Sequence, residues 1–118
     1  IISKNNLTDN IVFKHNLSQK KLEEYLTYSR IAIIPSYSEG FCFAAIESIA
    51  IGLPIISSGK GALGEVVSGK HITFSPFNSE SLHKSMEAAL EGKWIQKPVK
   101  KFEIKNTVDQ YLTLYNKL

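Results

Sequence analysis

One cysteine, Cys42, is all the thiol the 118 residues contain. An internal disulfide is therefore excluded, and the usage fits a reducing compartment. Histidine is nearly as sparse: His15, His71 and His83 stand far apart and none adjoins the cysteine, so no metal-ligand spacing can be read. No apolar run approaches the roughly 18–20 residues of a membrane-crossing helix. A net charge of +3 is too small to argue for nucleic acid as a partner. Repeats and low-complexity tracts are absent. The chain opens Ile1-Ile2-Ser3-Lys4, without an initiator methionine or a signal-peptide pattern, and so reads as a piece of something longer. What remains is ordinary globular composition, 43% hydrophobic and 21% charged, in a length suited to one core.

Hydrophobic periodicity divides the chain into alternating elements. Ile11-Val12-Phe13 is a short apolar run and a strand candidate. Ser18 caps an amphipathic helix with Leu22, Tyr25 and Leu26 on one stripe. Ile31 to Ile34 is a continuous apolar run closed by Pro35-Ser36, the pattern of a strand buried on both faces. Phe41 to Ile51 is apolar almost all round and predicts a buried helix. Gly52 can stop it in a left-handed conformation, and Pro54 prevents its resumption.

Pro54 to Ser57 is the next strand candidate, and Gly59, Gly61 and Gly64 make the following stretch a loop. That stretch reads equally as a flexible connection or as a ligand loop. A short turn at Glu65 to Val67 leads to a brief strand at Ile72 to Phe74. Asn78 or Ser79 caps a helix whose stripe, Leu82, Met86, Ala89 and Leu90, is expected in the core. Lys93 to Lys105 is mixed and interrupted by Pro98. Val108, Tyr111, Leu112, Tyr115 and Leu118 form a final stripe, giving a C-terminal helix over 103–118 whose apolar side is also expected in the core. Strands alternating with helices predict an α/β domain with a Rossmann-like parallel sheet flanked by helices.

Chemistry concentrates between Pro35 and Glu47, where a strand ends and a helix begins. In open α/β sheets ligands bind outside the carboxyl ends of the strands. Glu47 is the only charged residue in the helical run from Phe41 to Ile51. A carboxylate there is either satisfied at the solvent edge or held ready for ligand hydroxyls, which offer donors to an acceptor-only group. Gly40 permits a tight turn with exposed N–H groups, and the following helix N-terminus favours phosphate. Glu39 is either a first-turn acid favoured by the helix dipole or part of the same site.

Pro35-Ser36, Glu39-Gly40-Phe41, Glu47, Gly52-x-Pro54-Ile55-Ile56-Ser57, then Glu65-Val66-Val67 and Gly69 form an ordered set. With these spacings the set resembles the retaining glycosyltransferases of the GT-B fold, and within them the large family 4. The likeness runs from about Leu7 to Leu90, with a looser extension to Tyr115. It implies that residues 1–118 are a partial nucleotide-sugar-binding domain, the incomplete C-terminal half of such an enzyme. By the same resemblance Glu47 bonds the ribose hydroxyls, and Glu39, the catalytic candidate, contacts hydroxyls of the transferred sugar. The N–H groups of Gly40, Phe41 and Cys42 correspond to donors around sugar and diphosphate. Asn16 and Leu17 fall where the family's backbone meets the nucleobase, and Glu65 matches a Glu of its Gly-rich loop. Cys42 replaces the usual Gly and adds bulk beside the sugar. Gly64 replaces the usual Pro and implies a more mobile loop.

The resemblance further implies a nucleotide-sugar donor such as a UDP-hexose, no metal or other cofactor, and a saccharide or lipid-linked acceptor held by an N-terminal domain. An Arg and a Lys that neutralise the diphosphate belong to an earlier strand–helix unit of the family. Without that unit the 3-2-1-4-5-6 sheet order leaves exposed edges, which predicts a rearranged sheet or a homodimer, and a fragment without turnover. Nucleotide-sugar epimerases of similar fold are the alternative enzyme class, but they lack the Glu39/Glu47 spacing; a non-catalytic nucleotide-sugar-binding module is the third reading. The expected location is cytoplasmic. Five lysines around Trp94 and Phe102 allow peripheral contact with the inner face of a membrane, or else a solvated connection with Trp94 packed on the domain.

Overall fold

The computed structural model describes residues 1–117, so Leu118 of the C-terminal stripe lies outside them. The elements are α1 (Gln19–Tyr28), β1 (Ala32–Ile34), α2 (Phe43–Ala50), β2 (Ile55–Ser57), α3 (Leu63–Val66), β3 (Gly69–Thr73), α4 (Ser79–Leu90), β4 (Ile95–Lys97) and α5 (Ile104–Tyr115). Two single turns of 3-10 helix, Ser3–Asn5 and Thr8–Asn10, precede them.

Two adjacent isoleucines set the architecture. Ile55 and Ile56 are both fully buried, and successive side chains of a strand point to opposite faces. Ile55 joins one core cluster with Ile34, Cys42, Ala45, Ile49, Leu63, Val66 and Val67, beneath α2 and α3. Ile56 joins another with Phe74 and Ala89, packed by Ile31, Ile72, Leu82 and Trp94, beneath α4. The result is a sheet with helices on both faces, as strands apolar on both sides require.

The strand order is β1-β2-β3-β4. β1, β2 and β3 are parallel, with Ala32 opposite Ile55 and Ile55 opposite His71. β4 then runs antiparallel to β3, with Ile95 opposite His71. The sheet is therefore mixed rather than wholly parallel.

Three caps behave as their residue types demand. The Ser18 hydroxyl accepts from the Lys21 N–H at 3.4 Å, and Asn78 Oδ1 accepts from the Ser81 N–H at 2.9 Å. Gly52 takes a φ of +79°, and the Leu53 N–H turns back to the Ser48 carbonyl at 2.9 Å, ending α2.

Elsewhere the structure corrects the sequence. Ile11 to Phe13 is not a strand: it has no ladder partner, and Val12 and Phe13 are each about 70% exposed. Strand β1 lies at the sheet edge, and Ile33 is 40% exposed while Ile34 is buried, so only one face is covered. Helix α4 turns its small residues, Ser85 and Ala89, to the sheet and leaves Met86 and Leu90 outside. Helix α5 has no buried residue, so its stripe is not core. Strand β4 was not foreseen; all three of its side chains are exposed, so no alternation marked it.

Candidate active site

The loop after β1 and the start of α2 lie at the carboxyl end of the sheet. The site residues of the Pro35–Glu47 stretch are delivered by this loop and by α2 as far as its middle. Pro35 cannot continue the ladder, so the backbone leaves the sheet there and passes Ser36 to Gly40 before α2 begins. Glu39 is half-buried in this passage.

The loop following β2 closes over it from the other side. The Ala62 N–H donates to the Glu39 carbonyl at 3.1 Å. The buried Ser58 hydroxyl donates to the Ser36 carbonyl. Residues 58 to 62 therefore grip both ends of the Ser36–Glu39 segment. This is the part sequence reasoning missed, although the Gly59-x-Gly61 pattern carried the signal. The loop is no loose connection: residues 63–66 coil into α3, and the Gly64 N–H donates to the Gly61 carbonyl at 3.2 Å.

Cys42 is the residue before α2 and holds a φ of +63°. A left-handed backbone is where glycine is ordinarily found. The cysteine side chain is buried and joins the cluster beneath α2. Burial pushes its thiol above the ordinary range, and the neighbouring Glu39 carboxylate adds to the shift, against the pull of the Ala45 and Ala44 N–H groups. Among the described residues, the N–H groups of Gly40, Phe41 and Cys42 donate to no backbone carbonyl.

Glu47 sits in the middle of α2, half-buried, and among the described residues makes no ion pair. It opens onto a cleft of about 250 Å³ between α1 and α2, lined also by Gln19, Glu23, Leu26, Thr27, Ala50 and Ile51. Asn16, with a φ of +51°, and Leu17 lead into α1 just before Gln19, at the end of the helix that forms one wall of this cleft. Both are exposed. Glu65, in α3, is exposed, and its backbone carbonyl accepts from the Lys100 ammonium.

The rim of the site is aromatic. Phe41 meets Phe43 at 5.2 Å and Phe102 at 5.4 Å between ring centroids, both edge-to-face. These rings, with Ile104 and Gln110, line a groove of about 640 Å³ between the start of α2 and α5. The lysine-rich stretch contributes to packing as well as charge. Trp94 is half-buried against the Ile56 cluster, and the Lys100 N–H donates to the buried Ser68 hydroxyl at 3.1 Å.

A family model described as glycosyl transferases group 1 matches residues 1–107. The chain belongs to the group 1 glycosyl transferases. This glycosyl transferase chain is 39% identical over 67 residues to an MMP alpha-(1->4)-mannosyltransferase of Mycolicibacterium hassiacum, covering 57% of this chain and 16% of that protein. It is 34% identical over 61 residues to D-inositol 3-phosphate glycosyltransferase 2 of Catenulispora acidiphila, covering 52% and 14%. With a lipopolysaccharide 1,2-N-acetylglucosaminetransferase of Salmonella typhimurium it shares 30% over 81 residues, covering 64% and 21%. Its fold matches sucrose-phosphate synthase from Thermosynechococcus elongatus with a TM-score of 0.69 and 27% identity, over 76% of this chain and 23% of that one. The chain thus spans between an eighth and a quarter of the length of these relatives. The GT-B kinship that the Glu39/Glu47 pattern implied is the one these matches give.

Proposed function

We propose that the chain carries the nucleotide half of the donor site of a retaining hexosyltransferase, with a UDP-hexose as donor. The observation that carries the reading is Glu47, a half-buried carboxylate without an ion pair among the described residues, opening onto the α1–α2 cleft of a group 1 glycosyl transferase chain. An ionised carboxylate only accepts hydrogen bonds, and a vicinal ribose diol offers it two donors. Charge-assisted bonds of this kind are worth about 1.5–3 kcal/mol each.

In this reading Asn16 and Leu17 lie along the base, and Glu47 anchors the ribose. The N–H groups of Gly40, Phe41 and Cys42 meet the diphosphate and sugar, while Glu39 holds the sugar hydroxyls. The acceptor hydroxyl attacks the face from which the nucleoside diphosphate leaves. What the donors at Gly40 to Cys42 contribute is preorganised stabilisation of charge on the departing phosphate. The reading needs no metal or other cofactor. It gives the whole protein a saccharide or lipid-linked acceptor and a cytoplasmic location, peripheral at the inner face of a membrane; the relative named for lipopolysaccharide supports the acceptor class.

The test is ligand-observed NMR on the chain with UDP, GDP, ADP and UDP-glucose, repeated with Glu47→Ala. UDP binding that weakens by about tenfold or more in the variant is expected, as removal of a bond to a charged group requires. Equal binding by both proteins, or none by the wild type, would overturn the assignment of Glu47.

A further inference from the structure

Gly61 stands against the backbone of Glu39. A Cβ built on Gly61 would lie 2.9 Å from the Glu39 carbonyl oxygen and 3.0 Å from its amide nitrogen. Both are main-chain atoms and cannot swing aside as a flexible side chain would. The adjoining Ala62 N–H holds the same carbonyl at 3.1 Å. Behind this contact the loop is filled. A Cβ on Gly64 would meet the Gly59 carbonyl at 3.0 Å, and the Leu63 N–H is bonded to the Lys60 carbonyl at 3.2 Å. The loop can therefore yield little if pushed from the Glu39 side.

Gly61 also has a φ of +56°, which by itself favours glycine. Gly92 separates the two effects. Its φ is +75°, yet a Cβ there would meet nothing within 4 Å. The two glycines share the left-handed backbone, and only Gly61 shares a contact with Glu39.

We infer that Gly61 is a positioning residue for Glu39: its bare Cα lets the loop after β2 press directly on the Glu39 backbone and so fixes where that carboxylate stands. This rests on the reading of Glu39 as the group that holds the donor sugar. It gives the glycine-rich loop a task distinct from cradling phosphate. The loop is a buttress, shaped by the protein's own backbone rather than by a ligand.

The experiment compares wild type, Gly61→Ala, Gly92→Ala, Glu39→Ala and the Gly61→Ala/Glu39→Ala double variant, with UDP and UDP-glucose as probes. Gly61→Ala is expected to weaken UDP-glucose by about tenfold or more, the scale of cost when a contact group is displaced, and to leave UDP within about twofold. It should add nothing in the Glu39→Ala background, since coupled residues are not additive. Gly92→Ala should bind both probes as wild type does. NMR supplies a second readout: the Glu39 amide and side-chain carboxyl carbon shift, and Ala62 N–H exchange quickens, in Gly61→Ala and not in Gly92→Ala. Gly61→Ala that keeps wild-type UDP-glucose binding and an unmoved Glu39 signal would overturn the inference, as would equal losses in Gly92→Ala. A wild-type chain that binds neither probe would fail the donor reading, and the Glu39 and Ala62 signals would still decide whether Gly61 sets the carboxylate's position.

Discussion

At Cys42 a non-glycine residue accepts a left-handed backbone, and its buried sulfur makes that tolerable. The conformation costs about 1–2 kcal/mol in an L-residue. Burial of the side chain beneath α2 offsets part of it. A buried thiol whose ionisation is pushed up is a poor nucleophile. Iodoacetamide at neutral pH is therefore expected to alkylate the folded chain far more slowly than the chain in urea; equal rates would place Cys42 at the surface. The pH dependence follows in sign. The folded thiol keeps its proton to higher pH than the unfolded one, so this group leaves stability unchanged below the ordinary thiol range. Stability then falls as pH rises from the unfolded value through the folded one. A urea midpoint that rises across that alkaline window would contradict the shift. Single residues were also where the sequence was most readable. Ser18, Gly52 and Asn78 announce helix ends through their own chemistry, and each makes the bond its type allows. Gly61 was visible as a glycine, but its contact with Glu39 joins residues that only the fold brings together.

Whole elements were legible where their side chains carried the reason for the element. The apolar runs at β1 and β2 and the capped periodicity of α1 and α4 are of this kind. β4 is not, because it is held by its ladder to Gly69–His71 while its own side chains face water. The reverse error at Ile11–Phe13 has the same root: apolar residues make a strand only when a partner strand supplies hydrogen bonds. Packing rotations were also hidden, since α4 turns serine and alanine to the sheet and a stripe of larger residues misled. Helix α5, with no buried residue, is expected to add little to global stability. Deleting residues 104–118 should lower helical circular dichroism while moving the melting midpoint by less than about 4 °C, since about 1 kcal/mol shifts a domain of this size by about 4–8 °C. A larger drop would mean that the Phe41–Phe102 groove floor depends on α5.

As a whole the molecule is long for its mass. Its radius of gyration is 17.0 Å and its extents are 61 × 31 × 24 Å, where a compact chain of this length has a radius near about 13–14 Å. Exposed apolar residues run along most of the chain; among them are Ile33 on the β1 edge and Tyr111, Leu112 and Tyr115 on α5. An uncovered edge offers unpaired N–H and C=O groups to a second strand. Pairing of two copies through β1 is accordingly expected at high concentration, and Ile33→Lys should abolish it; a monomer mass by light scattering for the wild type would refute the pairing. Lysine-directed membrane contact is tested separately, by sedimentation with anionic and neutral vesicles. Equal binding to both, or to neither, would remove it.

The order of the strands in the sheet is the order of the strands in the chain. Each new strand therefore finds its partner in the segment synthesised just before it. Such short-range pairing lowers the loop-closure entropy that slows sheets built from distant segments. On a ribosome, β1 can wait with its one apolar face for β2, and β2 for β3, with no stage needing residues not yet made. The fold is thus suited to vectorial assembly, the sheet growing sideways as fast as the chain emerges.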